Sequence, residues 1–187
     1  MSNITHLANM KLELYNPSLA EEVKQLFTSV FSDSEGETEG KLIGTLAYEL
    51  QETTSPGDLF GFIARDEDKI VSCIFFSRLS FESSINAFIL APVAVATNYQ
   101  KQGIGQKLIN FGIKYLKEKN IEVVFTYGDP NYYSKVGFNH ITEDIAKPPL
   151  KLTYPHGWLA QPLSSEDMEA INGNSTCVSA LNNPKYW

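Results

Sequence analysis

Residues 85–97 read INAFILAPVAVAT, a run in which only Asn86 and Thr97 are polar. A strand with one face in water alternates apolar and polar residues, whereas an unbroken apolar run belongs to a strand covered on both faces. The chain must therefore supply helices to both sides of a sheet. Pro92 interrupts the run. Proline cannot donate to a ladder, so in a sheet it stands at an edge or a bulge, and the apolar surroundings argue against an edge. The expectation is a bulge in a central strand.

The flanking sequence supplies those helices. Asn16 suits a helix cap and Pro17 the first turn, with Glu21 and Glu22 where the helix dipole favours acids. Leu19, Val23, Leu26, Phe27 and Val30 then recur at helical spacing, after a short strand near Lys11–Tyr15. Ser34 with Glu37 forms a capping-box pattern for a second helix, expected from Thr38 to Glu52. DLFGFIAR and IVSCIFFSRLSF read as strands joined by a polar turn.

Ile104, Leu108, Ile109, Gly112, Ile113 and Leu116 share one face of a third helix, which Asn120 can end. IEVVFTY (121–127) is the next strand. Asp129, Pro130 and Gly137 cap, start and stop a very short helix, and FNHITE and LKLTY are candidate late strands. The expected order is β-α-α-β-β-β-α-β-α-β-β, a mixed α/β (α+β) chain whose mixed sheet carries helices. No repeat or linker divides residues 1–187, which read as one domain with a core over about 11–153 and a C-terminal extension over 154–187. Trp158 and the closing NPKYW are unusual for a solvated end. They pack on the domain, line a site, or form a homodimer contact.

The formal net charge of −7 argues against general nucleic-acid binding, which needs many cationic contacts to phosphate. A small anionic ligand on a local basic patch stays allowed. Cys73 and Cys177 form no CxxC pair or metal-ligand cluster, so no metal is expected and both thiols read as free in a reducing compartment. MSNITHLANM lacks the pattern of a secretory leader, and no apolar stretch reaches membrane-spanning length. The expectation is a cytoplasmic protein with no membrane partner.

Residues 99–108, YQKQGIGQKL, place two glycines where the third helix begins. A helix start carries unpaired N–H groups and a partial positive charge, and phosphate fits there if side chains do not obstruct it. Gly103 and Gly105 remove Cβ at that point. Lysines 101, 107, 114, 117 and 119 follow against the single acid Glu118, a basic stretch in an acidic chain. No Gly-Lys-Ser/Thr follows, and Leu108 stands where a dinucleotide fingerprint has its third glycine, so neither of those phosphate motifs applies.

VAVATNYQKQGIGQKLI (93–109) resembles the acyl-CoA motif of the GNAT superfamily of N-acetyltransferases, Gln/Arg-x-x-Gly-x-Gly/Ala, with Gln100, Gly103 and Gly105 at its defining positions. YSKVGF (133–138) is similar to the Tyr-x-x-x-Gly-Phe that closes that family's CoA region, and the likeness spans about Lys11 to Thr153. The resemblance implies a three-layer fold whose bulged central strand splays from its parallel neighbour. It also implies acetyl-CoA as cosubstrate and an amine acceptor. Main-chain groups of Val93, Ala94 and Val95 would then meet the pantetheine, thioester and oxyanion. The amides of Gln102, Gly103, Ile104, Gly105 and Gln106, helped by Lys101, would hold the diphosphate, and Tyr133 would be the general acid. Tyr132 reads as the core member of the tyrosine pair.

No general base stands out. The acids of DSEGETE either draw a cationic amine or simply solvate a helix start. Cys73, His140 and His156 read as structural, and no Gly-x-Ser-x-Gly elbow supports a serine hydrolase. A non-catalytic acyl-CoA-binding module and a transferase for a longer acyl group remain as alternatives.

Overall fold

The computed structural model describes residues 9–187. Most of the opening segment discussed above, residues 1–8, lies outside the described residues. Strands β1 (Met10–Leu14), β2 (Leu59–Asp66), β3 (Lys69–Phe81), β4 (Ala87–Val95), β5 (Val123–Tyr127), β7 (Trp158–Pro162) and β6 (Asn139–His140) lie side by side in that order. Strand β8 (Ser175–Cys177) pairs with the far end of β3. Among the described residues only β4 and β5 run parallel; the other pairs are antiparallel. Helices α1 (Ala20–Glu35) and α2 (Glu37–Thr53) cover one face, α3 (Ile104–Glu118) covers the other, and α4 (Pro130–Tyr133) is a single turn after β5.

The apolar run of β4 has the expected cause. Ile89 packs with α1 and α2, while Phe88 and Leu90 pack with α3. β5 does the same, with Val123 and Phe125 on one side and Val124 on the other. Each strand is thus apolar at successive positions because both of its faces are covered.

Pro92 sits in a bulge. Ile74 and Phe76 of β3 face Val93 and Leu90, so two steps on β3 span three on β4. One extra residue in a strand flips the facing of everything beyond it. Before the bulge the even-numbered Phe88 and Leu90 face α3; after it the odd-numbered Val93 and Val95 do, and Ala94 turns to the opposite core. The parallel ladder with β5 ends at the Leu90–Thr126 rung. Beyond it the two strands part.

Several local signals behave as the sequence implies. Asn16 Oδ1 accepts from Ser18 N–H at 2.9 Å, and Asp129 Oδ1 from Asn131 N–H at 2.9 Å. Asn120, at φ 60°, ends α3, with Asn120 N–H on the Lys117 carbonyl and Ile121 N–H on that of Leu116. The capping box does not form. Helix α1 continues through Ser34, and the turn into α2 is made by Gly36 at φ 97°, a conformation glycine adopts at little cost.

LKLTY is not a strand. Prolines 148, 149 and 155 bracket it, and its backbone bonds elsewhere: Thr153 N–H to the Trp187 carbonyl at 3.2 Å, Tyr154 N–H to Tyr127 Oη at 2.7 Å. The late strand is instead β7, inserted between β5 and β6. Trp158 is fully buried in it, stacked on Phe125 at 5.1 Å, its indole N–H donating to the Ala146 carbonyl. Trp187 packs against Trp158 and Tyr127 and is 3% exposed. The tail packs on the domain.

Gly112 lets α3 lie close on the sheet, for a Cβ there would come 2.7 Å from Phe76 and 3.0 Å from Phe62. Gly112→Ala gains about 0.5–1 kcal/mol of helix propensity. Overpacking costs about 1–3 kcal/mol, so urea unfolding should show a net loss of stability. A gain would mean that the helix can move away from the sheet freely.

Candidate active site

Backbone direction comes first. Ala96 N–H donates to Val71 of β3 at 2.7 Å, and Ser72 Oγ donates to the Ala94 carbonyl at 2.8 Å, so even-numbered positions here point their main-chain groups towards β3. Alternation then points the N–H and C=O groups of Val93 and Val95 the other way, where β5 has already departed. Gln100 Nε2 donates to the Val95 carbonyl at 3.0 Å. Among the described residues no strand pairs with the other outward groups of these two residues.

A cleft of about 630 Å³ opens along this exposed strand side. Val93, Val95, Gln100, Lys101, Gly103, Ile104, Gly105 and Gln106 line it, together with Tyr133. Ala94 and Gln102 do not. Ala94 is turned to the opposite core by the parity flip, and the Gln102 side-chain Nε2 donates to the Asn98 carbonyl at 3.2 Å. Four further lining residues were not singled out from the sequence for this role: Val30, Tyr99, Tyr132 and Lys135. Lys135 lies inside YSKVGF, so the motif itself carried that signal. Tyr99 is held by its hydroxyl donating to Asp66 at 2.8 Å.

The floor of the cleft is a bare helix start. Gly103, at φ 77°, precedes α3 and offers no side-chain cap. The first helical bond is Lys107 N–H to the Gly103 carbonyl, which leaves the amides of Ile104, Gly105 and Gln106 without an acceptor among the described residues. The two glycines serve different ends. A Cβ on Gly103 would meet nothing within 4 Å, so space there opens into the cleft. A Cβ on Gly105 would collide with Tyr132 Oη and touch Val95, so Gly105 is required by its protein neighbours. Tyr132 is accordingly half-buried over the helix start and not in the core. Of the five lysines in 99–119, only Lys101 lines the cleft; the other four lie on the exposed face of α3 or just past its end. Lys101 and Lys135 make this cleft cationic in an acidic chain.

Tyr133 stands at the parting of β4 and β5. Its ring packs edge-on against Tyr132 at 5.0 Å and Phe138 at 5.9 Å, and Gly128 leaves room beneath it. Its hydroxyl lies against Thr126, whose own Oγ1 donates to the Leu90 carbonyl at 2.8 Å, the last parallel rung. Burial pushes the Tyr133 phenol well above its ordinary value. The Tyr132 and Asp129 charges push the same way, while the Thr126 contact works against them. Tyr133 is thus held as a neutral O–H donor.

The remaining nucleophiles and bases lie elsewhere. Cys73 is fully buried and Cys177 half-buried, neither lines this cleft, and burial raises both thiols away from the reactive thiolate. His140 and His156 pair at the surface, ring centres 5.7 Å apart. Among the described residues no helix is long and apolar enough to cross a membrane. No cluster of three metal-ligating side chains occurs among them either.

A bulged central strand parting from its parallel neighbour above an uncapped helix start defines an acetyltransferase fold, and comparison with known proteins agrees. The family model for the GNAT acetyltransferase domain matches residues 57–140. The chain is 30% identical over 165 residues to the uncharacterized N-acetyltransferase YjhQ of Escherichia coli strain K12, covering 85% of this chain and 87% of that protein. Its fold is similar to the crystal structure of the Escherichia coli GNAT family N-acetyltransferase YhbS in complex with CoA, with a TM-score of 0.81, 22% identity, and 94% and 93% of the two chains covered. A GNAT family acetyltransferase from Brucella melitensis in complex with acetyl-CoA follows at TM-score 0.69 and 19% identity, covering 92% of this chain and 98% of that one. The chain belongs to the GNAT family of N-acetyltransferases.

Proposed function

We propose that this protein transfers an acetyl group from acetyl-CoA to a primary amine of a small molecule or protein, the amine attacking the thioester directly. The observation that carries the reading is the continuity of one surface. The unpartnered main-chain groups of Val93 and Val95 lead along a cationic cleft to the free amides of Ile104, Gly105 and Gln106.

Acetyl-CoA supplies the activated thioester when bound. The chain supplies placement and a proton. The amides at the start of α3 and the ammonium groups of Lys101 and Lys135 suit a diphosphate, which gains from bare N–H groups, the helix dipole and nearby cations. Val93 and Val95 offer a strand edge to an extended amide-bearing arm. An N–H of this edge is placed to stabilise negative charge on a carbonyl oxygen under attack. Tyr133 gives its proton to the departing sulfur. Burial keeps the phenol protonated until it is needed, and the thiolate released beside it in the same dry site is itself poorly solvated and so a stronger base than the ordinary thiol pKa of about 8.5 implies. No side chain of the first cleft is a base, and amine deprotonation is assigned to water.

Calorimetry with acetyl-CoA, followed by free-thiol release across a panel of amines, tests the proposal. Saturable binding with thiol released only when an amine is present is expected. Binding without turnover on any amine would instead identify a non-catalytic acyl-CoA module.

A further inference from the structure

Val93, Tyr132 and Tyr133 line the first cleft and also a second, of about 770 Å³, which opens on the other side of the parted strands. The two differ in sign. Among the described residues, the first is lined by Lys101 and Lys135 with no carboxylate, and the second by Glu35, Glu39 and Asp129 against Lys185 alone. Aromatic rings, among them Trp187 and Tyr127, supply apolar wall to the second.

The three carboxylates are not equivalent. Asp129 caps α4 through the Asn131 amide and sits beside Tyr133, where the chemistry would occur. Glu35 and Glu39 stand at the α1–α2 turn, and among the described residues neither has an ion-pair partner within 4.0 Å. Glu39 is half-buried. A carboxylate close to an attacking amine raises that amine's pKa and holds it in the protonated, unreactive form. Free carboxylates at the turn are therefore better matched to a charge that the acceptor keeps.

Resting on the reading that the first cleft takes acetyl-CoA, we infer that the second takes an acceptor with two amino groups on an apolar or aromatic body. One amine, neutral, meets the thioester beside Tyr133. The other stays an ammonium against Glu35 and Glu39. In the transfer the C–N bond forms as the C–S bond breaks. The sulfur takes the Tyr133 proton, and the proton shed by nitrogen returns through water to Tyr133. The products are a monoacetylated diamine and free CoA thiol.

Three aromatic probes built on one benzylamine unit test this: para-xylylenediamine, benzylamine and 4-(aminomethyl)benzoate. With the diamine, kcat/KM should exceed that for benzylamine by about tenfold, as expected for one charge-assisted contact, and the benzoate should be poorest. Glu39→Gln and Glu35→Gln should raise KM for the diamine several-fold while leaving KM for benzylamine and the affinity for acetyl-CoA unchanged. Equal use of the three probes, or an equal effect of the variants on all of them, overturns the inference. Binding of the diamine, read by calorimetry on the protein alone and lost in the variants, decides the inference separately from acetyl-CoA. A protein that binds the diamine but not acetyl-CoA would overturn only the acetyl-transfer reading.

Discussion

Tyr133→Phe is expected to lower kcat by about 10² to 10⁴, the usual range for losing a positioned proton donor, while acetyl-CoA affinity changes little. The substitution keeps the ring that packs on Phe138 and over Gly128, so the fold is spared. Only the O–H at the last rung of the β4–β5 ladder is removed. The pH profile adds a second readout. Burial raises the Tyr133 phenol, and a general acid must keep its proton to act. Its protonated form therefore persists beyond the ordinary phenol value of about 10. With the wild-type protein kcat should rise as the acceptor amine deprotonates and then stay flat through that pH. A wild-type decline near pH 9, or an unchanged kcat in the variant, would show that sulfur takes its proton from elsewhere.

Gly103→Val is expected to reduce acetyl-CoA affinity by about tenfold or more. Two effects combine. A Cβ at this position points into open cleft, so valine occupies ligand space instead of striking protein. The φ of 77° also penalises a β-branched residue, by about 1–3 kcal/mol, which moves the loop that presents the amides. Gly103→Asn separates them, since asparagine tolerates left-handed backbone. It should keep near wild-type stability in thermal unfolding and still bind more weakly, because its side chain enters the same space. Unchanged affinity in both variants would remove the helix start from the binding site.

Much of the architecture was legible because it is written in local chemistry. The unalternating β4 run, Pro92, the cap at Asp129 and the stop at Asn120 each act within a few residues, and each behaves as expected. Of the two errors one is local and the other is decided by distant chain. Ser34 and Glu37 have the spacing of a capping box, yet α1 runs on through Ser34 and leaves the turn to Gly36, whose positive φ makes the break. LKLTY has a strand's composition, but Trp187 and Tyr127 claim its backbone groups from remote positions.

The site divides in the same way. The motif located Gln100, Gly103 and Gly105, but not that the Gln100 amide is spent on the Val95 carbonyl or that Gly105 is reserved for Tyr132. Ala94 was chosen with its neighbours because strand position is easily counted. Only the bulge register shows that it faces away. The second cleft was invisible as a unit, since α1, α2, β4, β5 and the tail each lend it a few residues.

A crystal structure with CoA bound tests the central claim most directly. The account predicts the diphosphate on the amides of residues 103–106, the pantetheine arm paired with Val93 and Val95, and the sulfur within hydrogen-bond reach of Tyr133 Oη. CoA lodged in another groove, or β4 and β5 laddered without a gap beyond Leu90, would contradict it.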